Sequence, residues 1–550
     1  FSTRGKSALT INPDGSPKEK STGLDKDYIT EYSYGVAETF NLMIPRFMGG
    51  GTVEELGEDS EFYQVLEKNA GRSVAKDYSK QVLTYWGTQP IVEAPAYIGA
   101  IICFLFFLGV FLVKGRIRNW LVAATIFSIM LSWGKNLSVL TNFFIDYMPL
   151  YNKFRAVSSI QVIAELCVPL LGIIALRDFF SSTISFEEKE NALKKAVYAL
   201  GGITLGFAVF GGSLFAFEGL RDAQYQKLPT LIDALISDRK AMLFNDSIRS
   251  LLLVVASAGI LWMYLKKNFK QIYVLVVLGG LIIFDLVSVD IKYVNKEDFT
   301  FARKVQKPFS PTKADVEILK DKSYYRVANF GANPMQDGRT SYFHNSIGGY
   351  HAAKMKRYQE LFDYQIAKNN MEALNMLNVK YVILDTEKFQ ENTDANGNVW
   401  FVNTLKKVDS ANKEIIALDS INTKKSAILN IKTSNYKGDF EFQKDSTASI
   451  KLLKNDITTL VYNTTATTNQ FAVFSEIYYK DGWNAYIDGE KAPHYNVNYV
   501  LRGMEIPKGN HEITFKYEPT VIKTGNIITL LSYGLLLLIP VGWFVIQRKK

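Results

Sequence analysis

Residues 141–159, TNFFIDYMPLYNKFRAVSS, gather Asp146, Tyr151, Asn152, Lys153 and Arg155 in one short stretch between two apolar runs. An arginine at the depth of lipid headgroups grips a phosphate with two parallel hydrogen bonds, and Lys153 and Tyr151 add a charge and a hydroxyl. A carboxylate such as Asp146 gives acid/base or electrostatic help to a hydroxyl or a leaving phosphate. A snorkelling basic residue beside a belt tyrosine has the same appearance, so both readings stand. Glu38 is a second carboxylate candidate, on a short helix expected from Glu38 to Met43 and stopped at Pro45, with an ordinary solvated carboxylate as the rival reading. Arg4, Asp25, Asp27, Glu31 and Arg46 are candidates to face the same cavity.

Two further carboxylates lie inside apolar runs, Glu165 and Asp285. An intramembrane carboxylate is costly without a partner or a polar cavity, so each marks a site or a structural pair. His344, Tyr350, His351, Lys354 and Tyr358 form the densest polar-aromatic group of the chain's second half. With helical spacing over His351 to Tyr364, His351, Lys354 and Tyr358 share one face. Aromatic rings with short polar groups suit sugars; core packing of the tyrosines and capping by Asn345 and Ser346 account for the same pattern. His344 and His351 are too far apart, without cysteine nearby, for a zinc site. Trp483, Tyr486, Asp488, Asn498, Tyr499 and Arg502 are a last group, in which Trp483 reads as a core plug or a sugar platform and Asp488-Gly489 as a hairpin turn.

Seven apolar runs position these residues: Ala96 to Val113, Trp120 to Trp133, Ile160 to Leu176, Val197 to Phe217, Leu251 to Leu265, Ile272 to Val289 and Ile527 to Ile546. A crossing needs about 20 residues, and the shorter runs borrow from their flanks. Lys114, Arg116 and Arg118, the 177–196 loop, the 266–270 turn and the Arg548-Lys549-Lys550 tail fall on one side by alternation. The positive-inside rule makes that side cytoplasmic and puts 1–94 and 290–525 outside. The expected organisation is therefore a loop region (1–94), six membrane helices (95–289), a mixed α/β subdomain (290–400), a β-sandwich (401–525), and a final membrane helix with a basic tail (526–550). In the last soluble stretch, Tyr478 to Pro519, period-2 alternation around Asp488-Gly489 and Pro507 to Asn510 predicts hairpins.

The 63 Lys and Arg against 54 Asp and Glu give a net charge of +9, with no concentrated basic groove, which argues against nucleic acid as a partner. Cys103 and Cys167 lie in apolar runs and read as buried small hydrophobes. Phosphate-cradling, dinucleotide and serine-hydrolase motifs are missing, which argues against nucleotide-driven transport.

Gly482-Trp483-Asn484-Ala485-Tyr486-Ile487-Asp488-Gly489, Asn498 to Gly503, Pro507 to His511 and Tyr517-Glu518-Pro519 resemble the C-terminal signature of bacterial YfhO-type membrane proteins. Tyr342 to Lys354 does so as well, especially in Bacteroidetes-like members, as do Asn378 to Val382 and Pro149 to Arg155. The resemblance implies a multi-pass α-helical membrane protein of GT-C-like architecture, with a large extracytoplasmic β-sandwich-containing α/β domain, in the bacterial inner (cytoplasmic) membrane. It implies a glycosyltransferase that moves a sugar from a polyprenyl-phosphate carrier to an envelope glycan or polymer. Arg155, Lys153 and Tyr151 are then expected at the donor phosphate, and His344, Tyr350, His351, Lys354, Tyr358 and Trp483 at the sugar or acceptor. The catalytic acidic residue of such enzymes follows their first membrane helix; this chain opens like the middle of a protein, so that residue is expected upstream, with Asp146 and Glu38 as weak candidates within it. No cofactor is implied with certainty, and a divalent metal is compatible with the scheme. The alternatives are a non-enzymatic envelope glycan-binding or assembly protein, and a lipid or polysaccharide transporter component.

Overall fold

The computed structural model describes residues 7–18, 23–225, 228–351 and 353–548. Among these, 23–302 form one compact unit, and 7–18 with 303–548 form a second.

The first unit is helical. Every apolar run of its sequence becomes a helix, but the lengths differ from expectation. Four helices of this unit, Val162–Phe180, Phe186–Leu214, Pro229–Leu265 and Gln271–Asp290, are long and apolar enough to cross a membrane; Thr520–Arg548 in the second unit is a fifth. The first two runs give shorter helices, Ala100–Leu112 and Arg116–Ser132. Thirteen residues span about 20 Å at 1.5 Å each, short of a ~30 Å core. The first helix starts late because Gly99, at φ 110°, breaks the chain direction, while Ile98 is hydrogen-bonded to the Leu42 carbonyl at 3.1 Å. Gly115, at φ 100°, separates it from the next helix. Conversely, Pro229–Leu265 is 37 residues, about 55 Å, so 229–247 is helix where a loop was expected. Gly109 and Gly172 let Ala100–Leu112 and Val162–Phe180 approach closely, since a Cβ on Gly109 would meet Leu171 Cγ at 2.7 Å.

The region ahead of these helices is not a solvated loop. Leu42, Met43, Ile44, Phe47 and Met48 are buried. Phe47 packs edge-on against Phe207 with centroids 4.7 Å apart, and Trp86 lies 4.7 Å from Phe217. The segments 37–48 and 83–92 are therefore part of the helical core.

The second unit is rich in β-structure. A five-stranded antiparallel sheet runs in the order Glu490–Ala492, Trp483–Ile487, Gly509–Tyr517, Thr459–Ala466, Ser449–Asn455. A six-stranded sheet runs Val399–Val402, Gln470–Ile477, Leu501–Ile506, Tyr495–Val497, Ser426–Asn430, Thr404–Val408, its last pair parallel. Tyr462, Ile513 and Phe515 from the first sheet meet Phe474, Met504 and Ile506 from the second in one core. A small sheet pairs Arg326–Asn329 in parallel with Val379–Ile383 and Phe389–Glu391 antiparallel to that strand. The Asp488-Gly489 turn has both residues at positive φ, 50° and 87°, as a two-residue type I′ hairpin requires. Residues 7–18 pack on this unit: Leu9 is buried with Leu361 and Tyr364, and Lys368 Nζ donates to the Pro13 carbonyl at 2.6 Å.

Candidate functional site

In the helical unit, the 28–38 segment gathers the groups that matter. Arg155 is 40% exposed; its guanidinium carbon stands 5.1 Å from the Tyr28 ring centroid and 5.7 Å from that of Tyr32, and NH1 lies 3.7 Å from Glu31 Oε2. The stretch that carries it is bracketed by two left-handed residues, Leu150 at φ 67° and Ala156 at φ 63°. Such backbone outliers in non-glycine residues concentrate at functional sites. Within that stretch Tyr151 packs against Leu24, Ile29, Ile145 and Val157, and Lys153 closes a short helical turn, Tyr151–Lys153. Asp146 faces Lys26 at 3.5 Å.

Further along the same segment, Glu38 is 1% exposed. Its carboxyl accepts from the Gly35 amide at 2.9 Å, the Tyr85 hydroxyl at 2.7 Å and Gln89 Nε2 at 2.9 Å. Burial pushes its pKa up, and these three hydrogen bonds only partly counter that. Between Tyr32 and Glu38 along the segment lies Tyr34, whose hydroxyl is pushed above its ordinary range by burial and then by Glu38 and Glu165. The segment is pinned by Tyr34 N to the Ser132 carbonyl at 3.0 Å and by Ser158 N to the Tyr32 carbonyl at 3.2 Å. The 28–38 segment thus meets Arg155 at Tyr28, Glu31 and Tyr32, and carries Tyr34 and Glu38 further along, with Glu165 acting on Tyr34. The expected helix at Glu38 to Met43 is a 3₁₀ helix, Ala37–Leu42. Glu165 is not at mid-span: it sits in the first turn of Val162–Phe180 and is exposed, where a carboxylate complements the helix dipole.

Asp285 is satisfied within the protein. It is 1% exposed, accepts from Tyr97 at 2.6 Å and from the Ile101 amide at 3.3 Å, and pairs with Arg249 at 3.0 Å. With Tyr97 accepting from the Ala100 amide at 3.1 Å, it fills orphan donors at the start of Ala100–Leu112. Asp238 does the same for Glu61–Ala70, accepting from the Glu61 and Phe62 amides at 2.9 Å each. Of the other N-terminal candidates, Asp25 is the N-cap residue of Lys26–Ile29 and Asp27 lies in its first turn, Arg46 pairs with Asp246, and Arg4 lies outside the described residues. Cys103 and Cys167 are free and buried.

In the β-rich unit, His351, Lys354 and Tyr358 do converge, but not on a helix face. The helix begins at Lys356, because Met355 is extended at φ −74°, ψ 135°. They line a cavity of about 270 Å³ with Arg326 and Met335, where Lys354 Nζ donates to the Met335 carbonyl at 2.6 Å and Tyr358 to the Ile347 carbonyl at 2.5 Å. His344 is elsewhere. Its Nε2 is 3.0 Å from Asp315 Oδ1, and Asp315 also takes Arg339 at 2.6 Å and the Thr312 amide at 2.7 Å. Burial works to raise the Asp315 pKa, but the bonds from Thr312, Arg339 and His344 outweigh it and hold it at about 2. Tyr350 is exposed, and the Trp483 ring is covered by the Arg502 guanidinium at 4.3 Å. Among the described residues no group of three or more His, Cys, Asp or Glu is placed to hold a metal ion. Sequence reading missed Tyr34, and also Tyr85, Gln89 and Arg326, whose partners Glu38 and Glu476 are remote in the chain.

Residues 387–529 match the family described as bacterial membrane protein YfhO. The match takes in 143 of the 550 residues, and that stretch is similar to a YfhO-type membrane protein. The matched stretch runs from the Phe389–Glu391 strand through the last strand, Gly509–Tyr517, into the start of Thr520–Arg548, so the YfhO-type signal lies in the β-rich unit and its apolar helix. No curated protein and no solved structure matches the chain.

Proposed function

We propose that this YfhO-type chain is a GT-C-like glycosyltransferase of the bacterial inner membrane, with the β-rich unit, a β-sandwich and its α/β flank, on the extracytoplasmic side. A hydroxyl of an envelope glycan or polymer attacks the anomeric carbon of a polyprenyl-phosphate sugar. The bond from that carbon to the phosphate oxygen breaks, polyprenyl phosphate leaves, and the hydroxyl proton passes to a carboxylate. The observation that supports this reading is on 28–38: the segment receives Arg155 at Tyr28, Glu31 and Tyr32 and holds a buried carboxyl, Glu38, further along. Arg155 supplies the phosphate contact, with Lys153 and Tyr151 in the same turn. Glu38 is the proton acceptor within this chain that the geometry favours over Asp146, which is engaged with Lys26. Transport is less well supported, because Asp285 is occupied in capping a helix and pairing with Arg249.

The test is turnover of undecaprenyl-phosphate hexoses by the purified chain in nanodiscs, read as release of undecaprenyl phosphate. Arg155→Ala is expected to raise KM for the donor at least tenfold, and Glu38→Gln to lower kcat. Release from no hexose donor removes the enzyme reading and leaves the non-enzymatic glycan-binding one; unchanged kinetics in Arg155→Ala takes Arg155 out of the site.

A further inference from the structure

A cavity of about 710 Å³ in the β-rich unit is not used by that scheme. Its wall is built from Lys356 to Glu360, the Ile477 to Lys480 exit from one strand, and the Pro493 to Val500 hairpin, with Ala8 from the N-terminal segment. It meets the 270 Å³ cavity at Met355, Tyr358 and Ile477. The volume is within the range of small-molecule and glycan sites.

Three features of the wall point the same way. Tyr478 and Tyr495 line it beside His494, whose ring is 5.3 Å from that of Tyr478. These rings offer the flat apolar faces that sugar C–H groups pack on. The charged lining is Lys356, Arg357 and Lys480 against Glu360 alone. Arg357 is paired with Glu414 at 2.8 Å, and Glu360 accepts from Ser7 at 2.5 Å and Tyr499 at 2.6 Å and keeps its charge, so three cations against one carboxylate leave the wall net positive. His494 stays neutral, since burial and then Arg502 and Lys491 push its pKa down to about 4.

The third feature is a set of costs in the same hairpin. His494 Nε2 and Asn496 Oδ1 are withdrawn from solvent and have no hydrogen-bond partner. Buried groups of this kind are uncommon, and each asks for a reason. Asn498 and Tyr499, in the same hairpin, are both left-handed at φ 48° and 71°. A bulky buried tyrosine holds that conformation only because its surroundings enforce it: the Arg357 guanidinium lies 3.9 Å from its ring centroid, and Arg357 Nε donates to its carbonyl at 2.7 Å.

We propose that this cavity binds an anionic glycan, with a sugar ring on Tyr478 and Tyr495 and a carboxylate or phosphate held by Lys356 and Lys480. Binding does not depend on sugar transfer and is expected even if the chain transfers nothing.

The test is calorimetric titration of the purified full chain in detergent with three probes: tetragalacturonate, a glycerol-phosphate tetramer and neutral maltotetraose. At least one anionic probe is expected to bind ten times or more tighter than maltotetraose, the two anionic probes telling a carboxylate ligand from a phosphate one. The doubly reversed Lys356→Glu/Lys480→Glu and, separately, Tyr478→Ala are each expected to weaken that binding at least tenfold, with melting temperatures within a few degrees of the parent. Lys480 is exposed and Lys356 half-buried, so their reversal decides the matter even if Tyr478→Ala does not fold. No binding of either anionic probe, equal binding of the neutral one, or undiminished binding by the charge-reversed chain overturns the proposal.

Discussion

Arg46 clasps Asp246 with two parallel hydrogen bonds, Nε to Oδ2 at 2.9 Å and NH2 to Oδ1 at 2.8 Å, while its own backbone amide donates to Oδ2 at 3.1 Å. The pair ties the 37–48 segment to the Pro229–Leu265 helix, and Asp246 is only 5% exposed. Removing one partner leaves a buried charge uncompensated, which costs about 3–5 kcal/mol. Asp246→Ala is therefore expected to lower the melting temperature sharply in detergent, and Arg46→Lys, which keeps charge but loses the fork, to lower it less.

Glu38 carries a pH signature. Its folded pKa is raised, so the folded state holds a proton that the unfolded state releases first. Its contribution to stability is complete below the ordinary carboxylate value, about 4.3, and is lost as pH rises through the raised value. Melting curves of the parent and of Glu38→Gln should diverge over that window, with the glutamine variant the less pH-dependent of the two. Parallel curves would show that Glu38 does not titrate anomalously.

Asp315 has the opposite sign. Held at about 2, it stabilises the β-rich unit above its ordinary value of 3.8, and that contribution is lost as pH falls through 2. Asp315→Asn is expected to lower the melting temperature at pH 7 and to narrow the gap with the parent at pH 2.

How much of this was legible follows the range of the interactions. The Asp488-Gly489 hairpin and the final strand could be read because a two-residue turn and a period of two are local. The apolar runs were located correctly as helices, but not their lengths. Gly99 and the Leu42–Ile98 contact shorten one, and continuity through 229–247 lengthens another. Arg155 was singled out for its type and place, yet its setting over Tyr28 and Tyr32 comes from a segment more than a hundred residues earlier. His351, Lys354 and Tyr358 meet, as spacing suggested, but in a cavity built from an extended turn rather than on a helix.

Gly503 is a glycine for reasons of packing. It lies within the Leu501–Ile506 strand, where a Cβ would come within 2.6 Å of the Phe471 ring and 2.9 Å of Val497 Cγ1. Gly503→Ala is expected to destabilise by about 1–3 kcal/mol through overpacking. Equilibrium unfolding of Gly503→Ala, with Phe471→Leu/Gly503→Ala as the relieving double variant, checks it: the double variant should recover part of the loss.

The packing of residues 7–18 on the β-rich unit has a consequence for biosynthesis. Ser7 meets Glu360, and Tyr364 meets Ile11, across 353 residues of chain. At 5–20 residues per second the ribosome needs roughly 18–70 s to make that intervening stretch. During that interval the early segment has no surface to fold onto, and all the long apolar helices of 23–302 must be made before its partner exists. The β-rich unit is thus completed late in translation, and its first strand of chain is the part most open to proteases and chaperones while the rest is being made.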